Sequence, residues 1–286
     1  MRTATSVVFA LAFAFVLWGV GLATPQVPPP KPPPPPDTVP PINAGTTTAL
    51  CIGCDQPFDF DGHRAVMEAL STNPNVAQLR RAMYVQDTIH QFESKAHFDN
   101  CDFDGGIAYL GQLLAETDRH VSAAQRATDA RQRAAAVERA FFALGQGLHA
   151  IQDFYAHSDY VERQVTTAAK PTDIPVIRPW RDSDHARINV LRAGGLVSGF
   201  VFWGFPQRCP AGSAWHSELA KDSPRTKSGA VVVRSLENLT QYQIAVFLAR
   251  EASKDFLEDA FRRWPLLREQ NGAYVGIDMF IDRRGL

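Results

Sequence analysis

The sequence has no excess of charge of one sign and no long run of lysine or arginine. Its 286 residues carry a formal net charge of −1 at pH 7. Because nucleic acid and anionic membranes attract positively charged patches, this composition gives no strong signal for binding nucleic acid. It does not exclude a phosphate-bearing substrate, since bound metal ions would supply positive charge locally.

Cysteine is scarce, and its spacing does not form a zinc ribbon. The four cysteines are Cys51, Cys54, Cys101 and Cys209. A single Cys-x-x-Cys pair at Cys51 and Cys54, with no second pair, is a weak signal for zinc or redox chemistry. In an exported protein an even count favours disulfides, and four cysteines allow three pairings.

Signals for β-strands are also sparse, and no internal repeat is apparent. Apolar residues recur instead with the period of an α-helix, which predicts helices at about 62–72, 75–95, 105–128, 130–164, 214–222 and 228–264. Residues 171–213 are rich in proline and glycine and are predicted to form a long excursion with a short hairpin. The expected fold is therefore all-α with an irregular insertion.

The N-terminal residues have the composition of an export signal. Arg2 precedes an apolar run that ends in small residues at Ala23, which is typical of a secretory signal peptide, residues 1–23. The alternative is an uncleaved membrane anchor. No cysteine follows the run, which argues against a lipoprotein. We expect a secreted, periplasmic or cell-surface protein whose mature chain starts near Thr24.

A proline-rich linker, residues 24–43, follows the signal. This composition predicts a stiff polyproline II spacer, and the alternative is a ligand for proline-binding modules. The globular domain is predicted to span residues 44–286. The chain is 45% hydrophobic, which is ample for a packed core.

One predicted helix carries an unusual set of polar residues. In residues 148–162, LHAIQDFYAHSDYVE, a histidine, an aspartate and a histidine stand at every fourth position as His149, Asp153 and His157. Their side of the helix lies opposite an apolar stripe, and a solvated face is the simple explanation. However, Asp153 is the only charged residue between Arg139 and Asp159, which indicates a helix buried all round. A buried carboxylate needs a partner, and a cation beside two imidazoles would supply one.

The rise of the helix limits how many ions these residues share. Residues four apart are about 6 Å apart along the axis, so His149 and Asp153 can bind one ion. His157 is about 12 Å from His149, too far for ligand bonds of about 2 Å to that ion. If all three residues coordinate, they bind at least two ions.

Further candidate ligands are scattered along the chain, and each has a structural explanation when taken alone. Asp99 fits a helix cap, for example, and His216 an exposed base. We expect three other histidines, which have no partner pattern, to be structural or exposed: His90, His120 and His185.

Three segments, KAHFDN, LGQGLHAIQDFYAHSDYVE and HSELAKDSP in this order, resemble the Het-C family of heterokaryon-incompatibility proteins and their bacterial relatives. This family looks like a distant branch of the superfamily of zinc-dependent phospholipases C and single-strand nucleases. The resemblance covers about residues 60–260. It implies an all-α, phospholipase C-like domain whose helices gather zinc ions in a cleft and hydrolyse phosphodiester bonds.

The resemblance also implies which residues bind the first ion. Asp87 and His97 would join His149 and Asp153 on one Zn²⁺. His63 would bind a further ion that Asp153 bridges, so the site would hold two ions, and three if His63 coordinates. Phospholipases of the superfamily use the amino group of an N-terminal tryptophan at that ion, whereas here other residues precede His63.

A second ion would be bound by His157 and His216 with a later carboxylate. The superfamily has that carboxylate four residues after the last histidine, and Ala220 occupies the position here. Asp222 is the expected replacement, with Glu218 as the alternative. The spacing from Asp153 to His157 is also shorter than in the superfamily.

The flanking motifs carry an expectation about the disulfides. Cys101 follows HFDN and Cys209 precedes WHSE. If both motifs converge on one metal site, these two cysteines should lie close together, which leaves Cys51 and Cys54 as the second pair.

The leading interpretation is an exported metal-dependent hydrolase of phospholipids or other phosphodiesters, in peripheral contact with a membrane. Zinc would lower the pKa of a bound water, and Asp87 or Asp153 would orient or deprotonate it. The alternatives are a single-strand nuclease and a non-catalytic recognition or cell-death protein that keeps metals for stability. Residues 195–205, GLVSGFVFWGF, would border a lipid pocket or form a buried hairpin. The sequence leaves any protein partner unknown.

Overall fold

The long helices follow the apolar periodicity of the sequence. The computed structural model describes His63 and residues 74–269. Helices in this part are α1 (Pro74–Ile89), α2 (Ser94–His97), α3 (Phe103–Arg126), α4 (Ala130–His157), α5 (Tyr160–Gln164), α6 (Asp182–Ala193), α7 (His216–Leu219), α8 (Gln241–Arg263) and α9 (Pro265–Glu269). A 3₁₀ turn covers Pro171–Asp173, and two short antiparallel strands are β1 (Val232–Val233) and β2 (Leu239–Thr240). The described part is mostly helical, as predicted.

Helix α4 is the centre of the fold. It starts at Ala130 because the Asp129 carboxylate accepts hydrogen bonds from two backbone amides of the first turn. Its C-terminal half, residues 143–157, is buried at every position, which confirms a helix buried all round. Two glycines let neighbouring helices approach: a Cβ on Gly145 would lie 2.6 Å from a backbone oxygen of α1, and one on Gly147 would lie 2.9 Å from a ring carbon of Phe256 in α8.

Several predicted boundaries need correction. The helix predicted at 75–95 ends at Ile89, and the one predicted at 130–164 is interrupted at Ser158 and Asp159. The helix predicted at 228–264 begins only at Gln241, because Thr240 and Gln243 form a capping box there. The residues before it form the β1–β2 ribbon. Its turn contains Glu237 and Asn238 with positive φ.

The region 171–213 contains a helix, α6, and not the predicted hairpin. Ile188 is the only buried residue of α6, so this helix shows no apolar stripe in the sequence. Residues 195–205 instead form single β-bridges, one between Ser198 and Ser158 at the end of α4 and one between Phe205 and Glu93, directly before α2. Residues 195–205 therefore connect the end of α4 to the segment around α2.

The loop after α2 has a strained backbone that the excursion supports. Phe98, Asn100 and Cys101 all have positive φ, between 53 and 58°. The buried Asn100 amide group bonds the backbone of Val201 at 3.0 and 2.7 Å. A disulfide joins Cys101 to Cys209 with a Cα–Cα distance of 4.8 Å, which confirms the predicted pairing.

The remaining expectations about the N-terminal part lie outside the described residues. These are the signal peptide, the linker, Cys51 and Cys54, and, apart from His63 itself, the helix at 62–72. Among the described helices, none has the length and apolar character needed to cross a bilayer.

Candidate metal centre

The eight residues predicted as ligands converge on one buried cluster, although they come from distant parts of the chain. Each has a side-chain nitrogen or oxygen within 3.6 Å of that of another member. The members are His63, Asp87, His97, His149, Asp153, His157, His216 and Asp222. Seven of them, all except Asp222, form three adjoining sets of ligand atoms together with Asp99.

Asp153 lies at the middle of the cluster, because helix α4 aligns it with His149 and His157 one turn away on either side. Its Oδ2 is 2.8 Å from His149 Nε2 and 2.9 Å from His97 Nδ1. Its Oδ1 is 3.4 Å from His63 Nε2 and 4.0 Å from His157 Nε2. Complete burial favours the neutral acid, but the surrounding imidazoles hold the pKa of Asp153 well below its usual value. Asp153 is thus a charged carboxylate inside a ring of four histidines.

The first set, here the Asp87 set, consists of Asp87, His97 and His149, contributed by α1, α2 and α4. One ligand atom from each lies within 4.8 Å of the others. His149 Nε2 is 3.0 Å from His97 Nδ1 and 3.6 Å from Asp87 Oδ1. Burial raises the pKa of Asp87 to about 7 and lowers the pKa of His149. Burial disfavours protonation of His97 as well, but the Asp153 carboxylate raises its pKa. A neutral imidazole, as at His149, presents the lone pair that metal binding requires.

The second set, here the His63 set, consists of His63, His149 and Asp153. The rings of His63 and His149 are 4.1 Å apart between centroids. Burial, together with the neighbouring His149, lowers the pKa of His63 to about 4. Since the pKa of His149 is lowered as well, both imidazoles of this set favour the neutral form, and a metal cation would balance the charge of Asp153.

The third set, here the Asp99 set, consists of Asp99, His157 and His216. Asp99 Oδ1 is 3.4 Å from His157 Nδ1 and 3.1 Å from His216 Nδ1. On the other side of the rings, Asp222 lies 3.2 Å from His157 Nε2 and 3.4 Å from His216 Nε2. His157 thus lies with His216 and Asp222, and its Nδ1 is also 3.2 Å from the His97 carbonyl oxygen. Glu218 points elsewhere, to Lys227 and the Trp215 backbone.

Asp99 belongs to the candidate site but was not among the predicted ligands, because a helix cap explained it equally well. The positive φ angles of Phe98 and Asn100 on either side turn its side chain toward the end of α4. Its position two residues after His97 was the available signal. The charges of His157 and His216 hold its pKa well below the usual value in spite of burial.

The donor set fits a zinc ion. Zn²⁺ is bound in proteins by histidine nitrogen and carboxylate oxygen, and these are the atoms that meet here. Among the described residues, His97 Nε2, His149 Nδ1 and Asp153 Oδ1 are buried polar atoms without a hydrogen bond. Such atoms are uncommon in folded proteins unless a water or an ion satisfies them. The cluster is thus suited to bind metal ions.

Solvent reaches the cluster along one edge. The side chains of Asp87, His216 and Asp99 are 16, 12 and 11% exposed, whereas those of His149 and Asp153 are fully buried. Asp87, His216 and Asp99 are therefore partly accessible to solvent, whereas Asp153 is not.

Lys221 does not face this edge, although it adjoins Asp222 in the sequence. Its ammonium group is buried and donates to the carbonyl oxygens of Ser158 and Leu219 at 2.8 and 2.7 Å. It also forms an ion pair with Glu162 at 3.0 Å. Lys221 therefore fastens the turn that carries Asp222 to the end of α4, and its charge is already paired.

The histidines expected to be structural lie apart from the cluster. His90 contacts Glu93 at 2.7 Å, His120 contacts Glu116 at 3.4 Å, and His185 bonds the Pro179 carbonyl oxygen. These contacts agree with the prediction.

Comparison with known families gives one match. Residues 63–174 match the model of the VWA7 N-terminal domain. This range is less than half of the chain. It begins at His63 and includes seven of the nine cluster residues, all except His216 and Asp222. No curated protein and no solved structure matches the chain.

Proposed function

We propose that this protein is an exported, zinc-dependent phosphodiester hydrolase of the phospholipase C type. The observation that carries the proposal is the buried cluster around Asp153, in which three adjoining sets of histidine and aspartate atoms meet and one edge is accessible. The resemblance of three sequence segments to the Het-C family, and through that family to zinc-dependent phospholipases, supplies the reaction class.

Asp153 and Asp87 have distinct roles in this proposal. Bound zinc would supply positive charge for the phosphoryl oxygens and a water of lowered pKa. Asp153 holds the Asp87 and His63 sets together, because its two oxygens face different histidines. Asp87, at the accessible edge, orients the attacking water and accepts its proton. Since Asp153 is fully buried, we assign the role of base to Asp87.

The surface beside the cluster favours a lipid substrate over nucleic acid. Five large apolar side chains are each more than half exposed and form what we call the aromatic rim: Ile89, Phe92, Phe202, Phe205 and Trp215. Three of them lie on segments that carry ligands, since Ile89 and Phe92 stand between Asp87 and His97 and Trp215 directly precedes His216. A patch of exposed apolar side chains marks an interaction surface.

The segments of the rim are hydrogen-bonded to one another. Phe205 N donates to the Phe92 carbonyl oxygen at 2.9 Å, and His216 N donates to the Phe200 carbonyl oxygen at 3.0 Å. Glu93, next to Phe92, forms an ion pair with Lys95 at 3.0 Å. Stacking aromatics without surplus positive charge suit a zwitterionic lipid surface better than a nucleic acid backbone.

The test compares three substrates of the zinc-loaded mature protein: phosphatidylcholine vesicles, a soluble bis-aryl phosphate and single-stranded DNA. We expect release of phosphocholine from vesicles and its loss in Asp87→Asn. A Phe202→Ser/Phe205→Ser double variant should lose vesicle hydrolysis but keep hydrolysis of the soluble substrate. Preferential cleavage of DNA would indicate the nuclease. Tightly held metal without any hydrolysis would indicate the non-catalytic recognition protein. N-terminal sequencing, expected to begin near Thr24, tests export.

A further inference from the structure

Gln152 is a fully buried polar residue beside Asp153 that has no role in the reaction proposed above. Its side chain lies between two distant parts of the chain. Its Oε1 is 2.8 Å from His63 Nδ1, and its Nε2 donates to Ser253 Oγ of α8 at 3.1 Å. Gln152 and Ser253 are both 0% exposed.

This contact determines which nitrogen of His63 faces the cluster. An amide oxygen only accepts hydrogen bonds, so the hydrogen of a neutral His63 ring is on Nδ1. The other nitrogen, Nε2, then carries a lone pair, and it lies 3.4 Å from Asp153 Oδ1. Histidines that bind metals commonly donate their second N–H to a fixed acceptor, which sets both the tautomer and the ring orientation.

We propose that Gln152, held in place by Ser253, is a positioning residue that presents His63 Nε2 to a metal ion shared with Asp153. His63 is separated from Gln152 by 89 residues in the sequence, so the backbone of α4 does not by itself orient its ring. The hydrogen bond supplies that orientation. This inference rests on the metal-binding part of the proposed function and does not depend on hydrolysis.

A purely structural role makes a different prediction. Gln152 could serve only to satisfy buried polar groups, in which case its loss would lower stability without selecting one ion. Gln146 provides a matched control, because it is a buried glutamine of the same helix and donates to Gln86 Oε1 at 3.0 Å. Gln146→Leu should lower stability in a comparable way and leave the metal content unchanged.

The experiment measures bound zinc by mass spectrometry after dialysis, together with the absorption spectrum of the cobalt-substituted protein. We expect wild type to bind three ions, and Gln152→Leu to bind one of them about 10- to 100-fold more weakly, the usual effect of losing such a partner. Gln152→Glu keeps an acceptor at this position and should restore the third ion and its cobalt spectrum. Ser253→Ala should weaken the same ion by a smaller factor, and it serves as the test if Gln152→Leu does not fold.

Other outcomes would contradict the positioning role, the metal centre or the hydrolase. Unchanged zinc content and affinity in both Gln152→Leu and Ser253→Ala would overturn the positioning role, and so would a loss in Gln152→Glu as large as that in Gln152→Leu. A wild-type protein that binds no zinc would overturn this inference together with the metal centre. A protein that shows the expected metal pattern but hydrolyses no phosphodiester would refute the hydrolase alone.

Discussion

The substitution Asp153→Asn is the most direct test of the metal centre. It removes one negative charge and keeps the size of the side chain, so the packing of α4 should not change. Asp153 has side-chain contacts with four histidines at 2.8, 2.9, 3.4 and 4.0 Å. Its carboxylate serves two of the three sets, because Oδ2 faces the Asp87 set and Oδ1 faces His63.

The expected magnitude follows from this burial. Removing one partner of a buried ionic interaction typically costs about 3–5 kcal/mol, and each 1.4 kcal/mol is about a tenfold change in affinity. Zinc affinity at the Asp87 and His63 sets should therefore fall on the order of 10²- to 10⁴-fold. The Asp99 set, which relies on Asp99 and Asp222 for its negative charge, should keep its ion.

The assay is the zinc content after dialysis at controlled free zinc, combined with thermal unfolding with and without a chelator. Asp129→Asn is the matched control, because asparagine caps a helix as well as aspartate does and Asp129 lies at the opposite end of α4. Equal zinc content in wild type and Asp153→Asn would refute the reasoning. So would a loss of stability that is the same with and without metal, since it would indicate an ordinary buried network.

Three further predictions concern the Asp99 set and the loops that support it. His157→Ala should remove the ion of the Asp99 set and leave the other two, as measured by zinc content; loss of all ions would contradict separate sets. In the metal-free protein, burial disfavours protonation of His216, but Asp99 raises its pKa to about 9. Protons therefore compete with zinc below that pH, and affinity at this set should fall about tenfold per pH unit for each proton displaced as the pH decreases; a flat profile from pH 9 to pH 6 would contradict this. Opening the Cys101–Cys209 disulfide with Cys209→Ser should lower the free energy of unfolding by about 2–5 kcal/mol in denaturant titrations, whereas an unchanged midpoint would show that the bond does not stabilise the fold.

Sequence reasoning predicted the centre of the site because the pattern of α4 is local. A helix that is apolar almost all round is buried, and a single carboxylate in it needs a partner. The fixed helical rise then separates His157 from His149. Reasoning of this kind failed where the deciding contact was not local. Helix α6 has one buried residue and shows no apolar stripe, and the residues 228–240 were predicted as helix although the Thr240 capping box sets the start of α8.

Thus the sequence by itself determined the helical class, the buried face of α4 and, through its resemblance, the pool of candidate ligands. Only the tertiary structure decided which side chains meet. The loop with positive φ angles after α2 brings Asp99 to His157, and Gln152 connects His63 to Ser253, 101 residues from Gln152. Helical spacing relates residues within one helix. The relative placement of separate segments depends on packing, such as the close approach of α1 to α4 at Gly145 and of α8 to α4 at Gly147.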